Sequence, residues 1–203
     1  MRYFLTVSLV PLLSFLAVAA PTAPIVTPVP LYPGQCTGFP NWQRSPDDIT
    51  GSFYLTLDQV DDSSLNGLRN SISAITGPGG QGSRVTFTTE RDLALPVMAC
   101  KKGVVAENYG SAPSPVTFEG IGTSYQAYYS TAGVNLQIYT HEIGGVQQDG
   151  TFIGVNNITT WGLTLQSGTI ENTYDYYTAR LLGPDSGPLG AREVTGFVKP
   201  VGL

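Results

Sequence analysis

Apolar and polar residues alternate along most of the chain, which is the pattern of β-strands that bury one face. The alternation recurs in short runs separated by turn-forming Gly, Pro, Ser and Asp residues. Because parallel strands covered on both faces carry continuous apolar runs, this alternation indicates antiparallel pairing. We therefore predict an all-β fold, either an antiparallel β-sandwich or a small β-barrel, and the pattern does not separate the two. The predicted strands lie at residues 53–58, 84–88, 116–119, 134–141, 160–166, 174–179 and 194–198.

One segment departs from the two-residue period. Leu65, Leu68, Ile72 and Ile75 recur at steps of three and four residues, which places them on one face of a helix. A Gly-Pro-Gly-Gly stretch at residues 77–80 would end such a helix. We therefore expect one short helix, packed over an end of the β-structure.

Residues 1–19 have the order of a secretory signal peptide. Arg2 precedes an apolar run, and Ala17 and Ala19 occupy the small-residue positions before a cleavage site. The alternative is a membrane anchor, but the run is short for a span and contains Pro11. No second stretch is long and apolar enough to span a bilayer. We expect a secreted, extracellular protein with no membrane span once the signal peptide is removed.

The rest of the chain divides into a proline-rich spacer, residues 20–35, and a single β-rich domain, residues 36–203. The spacer contains five prolines, which fix φ and remove backbone donors, so we expect it to be extended and poorly able to join the centre of a sheet. The domain shows no repeat of fixed length and no shift in composition that would split it.

Composition and charge narrow the possible partners. The chain has 203 residues, of which 41% are hydrophobic, so it can bury a core, and only 12% are charged. That charged fraction is about half the ordinary share. The formal net charge is −5, and no basic stripe is available to neutralise phosphates. We therefore expect no binding of nucleic acid.

Two sequence features fit the oxidising environment of a secreted protein. Cys36 and Cys100 are the only two cysteines, so we predict that they form a disulfide. The alternatives are two buried free thiols, or a catalytic thiol at Cys100 next to Lys101 and Lys102. The triplet at residues 157–159, Asn-Ile-Thr, is an acceptor for N-glycosylation, so we expect Asn157 to face solvent.

The sequence carries no recognisable catalytic or metal-binding motif. His141 is the single histidine, and because Gly145 stands four residues later, the zinc protease motif is absent. One histidine does not build a multi-histidine metal site, and no nucleophile elbow occurs. The aspartates between residues 47 and 62 form an acidic cluster, but they lack calcium-loop spacing. We therefore predict a non-catalytic protein that has no metal and no cofactor.

Paired carboxylates are the remaining catalytic hypothesis. Glycoside hydrolysis needs two acids that the fold holds on either side of a sugar, and sequence spacing does not reveal such a pair. Four acidic residues on or near predicted strands are candidates for a small secreted glycan-active hydrolase: Glu119, Glu142, Glu171 and Asp175.

The most unusual feature is a concentration of tyrosine, with seven tyrosines between residues 125 and 177. Tyrosine suits a two-faced sheet, where the ring is buried and the hydroxyl is wet, so the cluster can be purely structural. Rings beside amides and hydroxyls also suit a carbohydrate or a small ligand, and we adopt this function as the working hypothesis. The predicted binding residues are Asn135, Gln137, Tyr139, His141, Trp161, Tyr174 and Tyr176. A third hypothesis is a structural or interaction protein of the cell surface or extracellular matrix, with an exposed sheet edge and no pocket.

Overall fold

The computed structural model describes residues 23–77, 80–90, 95–107, 114–121, 124–130, 132–168 and 174–203. The predicted signal peptide and Glu171 lie outside these residues, and the side chain of Glu119 is not described either. Among the described residues, no helix has the length and apolar character needed to cross a membrane.

The fold is all-β, as the alternation predicted. The strands are β1 Val26–Leu31, β2 Trp42–Gln43, β3 Ile49–Thr50, β4 Phe53–Asp58, β5 Arg69–Gly77, β6 Gly80–Thr88, β7 Met98–Lys101, β8 Val104–Glu107, β9 Ser114–Ile121, β10 Ser124–Tyr129, β11 Val134–Asn135, β12 Gln137–Ile143, β13 Val146–Gln147, β14 Phe152–Gly154, β15 Thr160–Gln166, β16 Tyr176–Leu181 and β17 Glu193–Gly202. The one helical element of the described chain is the 3₁₀ helix Ser63–Leu65.

The strands form a 13-stranded sheet and a 4-stranded sheet, and all their pairings are antiparallel. In the larger sheet, the pairings β15–β17–β4–β5–β6–β16 return to β15 and so close a ring. The last strand, β17, makes this closure possible because its first half pairs with β15 and its second half with β4. The closure is barrel-like, since a sheet that pairs with itself has no free edge within the ring.

The two faces of the ring differ in character. One face carries the apolar residues of the alternating runs, among them Phe53, Leu55, Leu57, Phe87 and Leu163, all no more than 1% exposed. These belong to one continuous hydrophobic core. The other face carries hydroxyl and charged side chains, where the hydroxyls of Ser71 and Thr86 are 2.8 Å apart on neighbouring strands. The period-two pattern therefore places its apolar residues correctly.

The smaller sheet contains part of the predicted spacer. Strand β1 pairs with β12 along its whole length, from Val26 opposite Ile143 to Leu31 opposite Ile138. These residues are therefore part of the fold, although only as an edge strand, which is where a strand containing Pro28 and Pro30 is tolerated. The missing donors of the two prolines also make this edge a poor template for a further strand.

The predicted helix is wrong. Within that segment only Ser63–Leu65 is helical, and from Arg69 onward the chain is strand β5, paired with β6. Gly67 has a φ of +83°, so it turns the chain out of the helix, and its N–H donates to the carbonyl of Leu57 at 2.8 Å. The Ser, Thr and Ile residues that follow favour a strand over a helix.

The predicted disulfide is confirmed. Cys36 and Cys100 are joined and both are fully buried. The bond connects the loop after β1 to strand β7, and the backbone N–H of Gly103 donates to Sγ of Cys36 at 3.3 Å. The cysteines are therefore structural, and neither alternative for them holds, since no free cysteine exists.

Candidate functional site

The structure does not bring the seven predicted binding residues together on one surface. Tyr139, His141 and Trp161 are buried, with exposures of 0%, 0% and 2%. The hydroxyl of Tyr139 donates to Gln137 and accepts the backbone N–H of Asn157 at 3.1 Å. Burial raises the pKa of this hydroxyl, although the bond from Asn157 opposes the shift. The Tyr139 hydroxyl therefore makes its hydrogen bonds within the fold. Because Tyr139 is buried, a ligand on the surface does not contact it.

His141 lies between two aromatic rings at the contact between the two sheets. Its ring stacks on Phe152 at 3.7 Å between centroids and lies 4.4 Å from the ring of Phe197. Nδ1 is 3.2 Å from the hydroxyl of Thr159, whereas the buried Nε2 has no hydrogen-bond partner among the described residues. Burial lowers the pKa of His141 to about 4, against an opposing effect of Asp58. The histidine that the alternation placed on a polar face is a neutral, buried packing residue.

The other predicted residues divide between two regions. Asn135 is exposed on β11, and Gln137 is half-buried on β12. Tyr174 precedes β16, and Tyr176 begins it; both rings are half-exposed. Tyr176 pairs with Thr88 of β6, and Thr88 pairs in turn with Arg69 of β5. Since directly opposed residues share a face, Tyr176 lies in one row with Thr88 and Arg69.

That row leads to an open groove of about 550 Å³. The groove lies where the 3₁₀ helix and the following turn pass over the start of β5 and the end of β6. We call it the Arg69 groove, defined by its lining residues Ser64, Asn66, Gly67, Leu68, Arg69, Thr88, Thr89, Glu90 and Leu95. It therefore combines a cation, a carboxylate, hydroxyls, an amide and two leucines.

Arg69 is held in place by an aromatic ring. The central carbon of its guanidinium lies 3.7 Å from the centroid of the Tyr54 ring, a close cation–π contact. Its Nε is buried and has no hydrogen-bond partner among the described residues. Within the same part of the chain, the two ion pairs are Arg180 with Glu193 and Lys199 with Asp58, so Arg69 has no carboxylate partner there.

The rim of the groove is organised by short-range hydrogen bonds. The Thr88 hydroxyl accepts the backbone N–H of Glu90 at 3.1 Å, which fixes the exposed Glu90 backbone at the end of β6. On the opposite side, Asp62 accepts the hydroxyl and the backbone N–H of Ser64 at 2.6 and 3.1 Å. These bonds lower the pKa of Asp62, so it carries its charge beside the groove.

Half of the described carboxylates have hydrogen-bond or ion-pair partners within the fold. Arg180 donates to both oxygens of Glu193 at 2.6 and 2.7 Å, and Asp61 accepts the N–H and the hydroxyl of Thr195 at 3.0 and 2.7 Å. Burial raises the pKa of Glu193, but the bonds from Arg180 and Gly190 outweigh it, and the net shift is downward. Of the hydrolase candidates, Asp175 accepts the N–H of Gly168 at 3.0 Å, and Glu142 is half-buried on β12.

The acidic cluster that sequence analysis considered for calcium is dispersed. Asp48 accepts the backbone N–H of Cys36 and the indole N–H of Trp42, while Asp58 pairs with Lys199. Within the described part of the chain, no group of three or more His, Cys, Asp or Glu side chains is placed to hold a metal ion.

Asn157 is exposed, in the tight turn between Val155 and Ile158. Its predicted solvent exposure is confirmed, and a glycan on it remains a prediction. The hydroxyl of Thr159, which the acceptor triplet requires, is buried and bonded to His141. An enzyme that attaches N-glycans would therefore have access to the whole acceptor triplet only before this turn has folded.

Arg69 and Glu90 are not among the site residues predicted from the sequence. Arg69 fell inside the predicted helix, and Glu90 follows a strand without any motif around it. Their proximity depends on the pairing of Arg69 with Thr88, which is set by the β5–β6 register. No local signal in the sequence reveals that register.

Comparison with known proteins adds no family to this description. No protein-family model matches the chain, and a search of curated proteins finds no significant match.

Proposed function

We propose that this is a secreted, non-catalytic protein that binds a carbohydrate or small polar ligand in the Arg69 groove. The observation that carries the proposal is the groove itself, an open volume of about 550 Å³ lined by Arg69, whose guanidinium stacks on Tyr54. Binding sites for small ligands are concave and mix apolar surface with a few placed polar groups. The two leucines and the hydroxyls of the lining supply that mixture.

The tyrosine part of the working hypothesis is retained at one position. Tyr176 is half-exposed and shares a row with Thr88 and Arg69, two lining residues, so we propose that its ring contacts a ligand that extends beyond the groove. A rigid aromatic ring offers flat contact area at a low entropic cost. Tyr139, His141 and Trp161 take no part, because they are buried.

Binding without chemistry is favoured by the carboxylates. Glycoside hydrolysis uses two carboxyl groups about 5 to 10 Å apart across the substrate. Glu90 is the one carboxylate among the described residues that line the groove. Secretion is supported by the signal-like first residues and by the disulfide, which persists in oxidising compartments.

The test is glycan-array binding of residues 20–203, followed by titration of any bound glycan. Thr89→Trp places a large ring at an exposed position of the groove lining, so we expect it to abolish binding. Thr27→Trp is the matched control, because Thr27 is exposed on β1 of the other sheet, and it should bind as the parent does. Absence of binding to every glycan, or equal binding by both variants, contradicts the proposal.

A further inference from the structure

Arg69 is the cation that lines the groove, and it is one of several described cations without an ion pair. Arg180 is neutralised by Glu193 at 2.6 Å and Lys199 faces Asp58 at 3.4 Å, yet Arg69 has no ion pair among the described residues. Its position is nevertheless fixed, because its guanidinium lies against Tyr54 and its Nε is buried. A half-buried cation that is held rigid, with no carboxylate partner among the described residues, is suited to binding an anion.

Arginine is the side chain best suited to recognising a carboxylate. Its planar guanidinium presents parallel N–H donors that match the two oxygens of a carboxylate, whereas lysine offers a point charge. Stacking on Tyr54 restricts this plane, so the guanidinium loses less conformational freedom when it binds. The geometry therefore favours a planar, bidentate acceptor.

The surroundings of Arg69 limit the charge of that ligand. Glu90 lines the same groove, and Asp62 lies beside it, so a strongly charged anion such as a sulfated sugar or a phosphate would be repelled. The formal net charge of −5 acts in the same direction at longer range. A single carboxylate, carried on a molecule rich in hydroxyls, satisfies both constraints.

We infer that the Arg69 groove selects an acidic sugar, with the carboxylate of a uronate on the Arg69 guanidinium. This inference rests on the proposed function, since it names the class of carbohydrate that the groove takes. The remaining lining groups then have a use. The Asn66 Nδ2 group and the Thr89 hydroxyl bond to sugar hydroxyls, and the Glu90 carboxylate accepts hydrogen bonds from such hydroxyls; Oδ1 of Asn66 accepts the Val60 N–H at 2.9 Å. Leu68 and Leu95 contact the apolar face of the ring.

The experiment compares uronate trisaccharides, containing galacturonate or glucuronate, with the same trisaccharides as methyl esters. Esterification removes the charge and leaves the sugar almost unchanged. We expect calorimetric titration to show the free acid binding at least about tenfold more tightly, because a charge-assisted bidentate pair is lost in the ester. The preference should weaken as salt is added.

Variants of Arg69 assign the preference to this residue. Arg69→Gln should bind acid and ester equally, whereas Arg69→Lys should keep part of the preference because it keeps the charge. Arg192→Gln removes the same charge from an exposed position outside the groove lining, and it should behave as the parent. Thermal unfolding of each variant, compared with the parent, shows whether the fold is retained, and Arg69→Lys carries the test if Arg69→Gln does not fold.

The outcomes separate the two proposals. If neutral and acidic sugars bind equally, or if only neutral sugars bind, the inference about uronates is overturned and the proposed function stands. If the preference for the acid persists in both Arg69 variants, Arg69 is not its source and the inference is also overturned. If no sugar of either kind binds, the proposed function itself fails.

Discussion

A single buried histidine shows how strongly one residue can depend on its surroundings. His141 is fully buried, its ring is stacked on Phe152, and its Nε2 finds no partner among the described residues. A protonated ring would need water or an anion at that nitrogen. The fold therefore holds the neutral form, and the pKa of His141 falls from 6.5 to about 4.

This shift predicts that the protein loses stability in mild acid. The unfolded chain binds a proton on His141 below pH 6.5, whereas the folded protein resists it down to about pH 4. The stability that His141 contributes is therefore complete above pH 6.5 and is lost as the pH falls toward 4, by about 3 kcal/mol. Chemical denaturation at a series of pH values measures this loss.

His141→Gln is the control, because its side chain is polar and does not titrate. We expect the free energy of unfolding of this variant to change much less between about pH 6.5 and 4.5, a range above most carboxylate pKa values. The single histidine also gives a direct reading by NMR, since no other imidazole signal overlaps it. A ring that titrates near its ordinary pKa in the folded protein would contradict the prediction.

Burial at position 141 also marks the limit of what alternation reveals about single residues. The period of two places Tyr139 and His141 on one face of the strand and Leu136 and Ile138 on the other face. It does not reveal which other parts of the protein cover each face. Here both faces are covered, because Phe197 of the larger sheet packs on the His141 side. A polar residue type therefore did not indicate exposure. Tyr139 and His141, which were predicted to bind a ligand, are buried in the protein interior.

At the scale of elements, strands were predictable and turns were less so. The runs that became β4, β6, β9, β15 and β17 were found because one face of each is buried in the core. Strand β5 was missed because Leu65, Leu68, Ile72 and Ile75 satisfy a helical period by chance, while the turn at Gly67 interrupts the chain between them. The spacing of apolar residues does not reveal that turn, so it predicted a helix across it.

The β7–β8 hairpin turn gives a sharp prediction about one glycine. Gly103 has a φ of +75°, and a Cβ placed there would overlap the carbonyl of Gly34 in the loop that carries Cys36. An alanine in the left-handed conformation costs about 1–2 kcal/mol of stability. Gly103→Ala should lower the free energy of unfolding by more than this, because the overlap adds to it. Thermal or denaturant unfolding of the variant measures the difference.

Gly145→Ala is the matched control, because it measures the cost of the backbone conformation without the cost of the overlap. Gly145 has a similar φ of +79° in the β12–β13 turn, but no atom lies within 4 Å of the point that an alanine Cβ would occupy there. We expect Gly145→Ala to lose only the conformational part, about 1–2 kcal/mol. Equal losses in the two variants would show that the loop at Gly34 moves aside freely, contrary to the prediction.

At the scale of the whole molecule, the fold depends on contacts between distant parts of the chain. Strand β4 begins at Phe53 and pairs with β17, whose residue Gly202 lies opposite it near the end of the chain. The ring therefore closes only when the last strand has joined both β15 and β4. Sequence patterns are local, so they predicted the all-β class and left sandwich and barrel unresolved.

The disulfide is the one long-range contact that the sequence did predict, because two cysteines allow a single pairing. It joins Cys36 to Cys100 across 64 residues and so restricts the unfolded chain. In the chain-entropy model, a loop of that length contributes roughly 4 kcal/mol to stability. The double variant Cys36→Ala, Cys100→Ala should lose that amount, together with a smaller packing loss, since both side chains are fully buried.

Reduction of the parent protein isolates the cross-link from the packing. The reduced chain keeps both sulfur atoms, so its loss of unfolding free energy should approach about 4 kcal/mol, and the double alanine variant should lose more than this. Denaturant unfolding with and without a reducing agent measures the first loss, and the variant measures the second. If reduction costs less than about 1 kcal/mol, the loop between Cys36 and Cys100 is already restricted in the unfolded chain, and the entropic account of this bond is wrong.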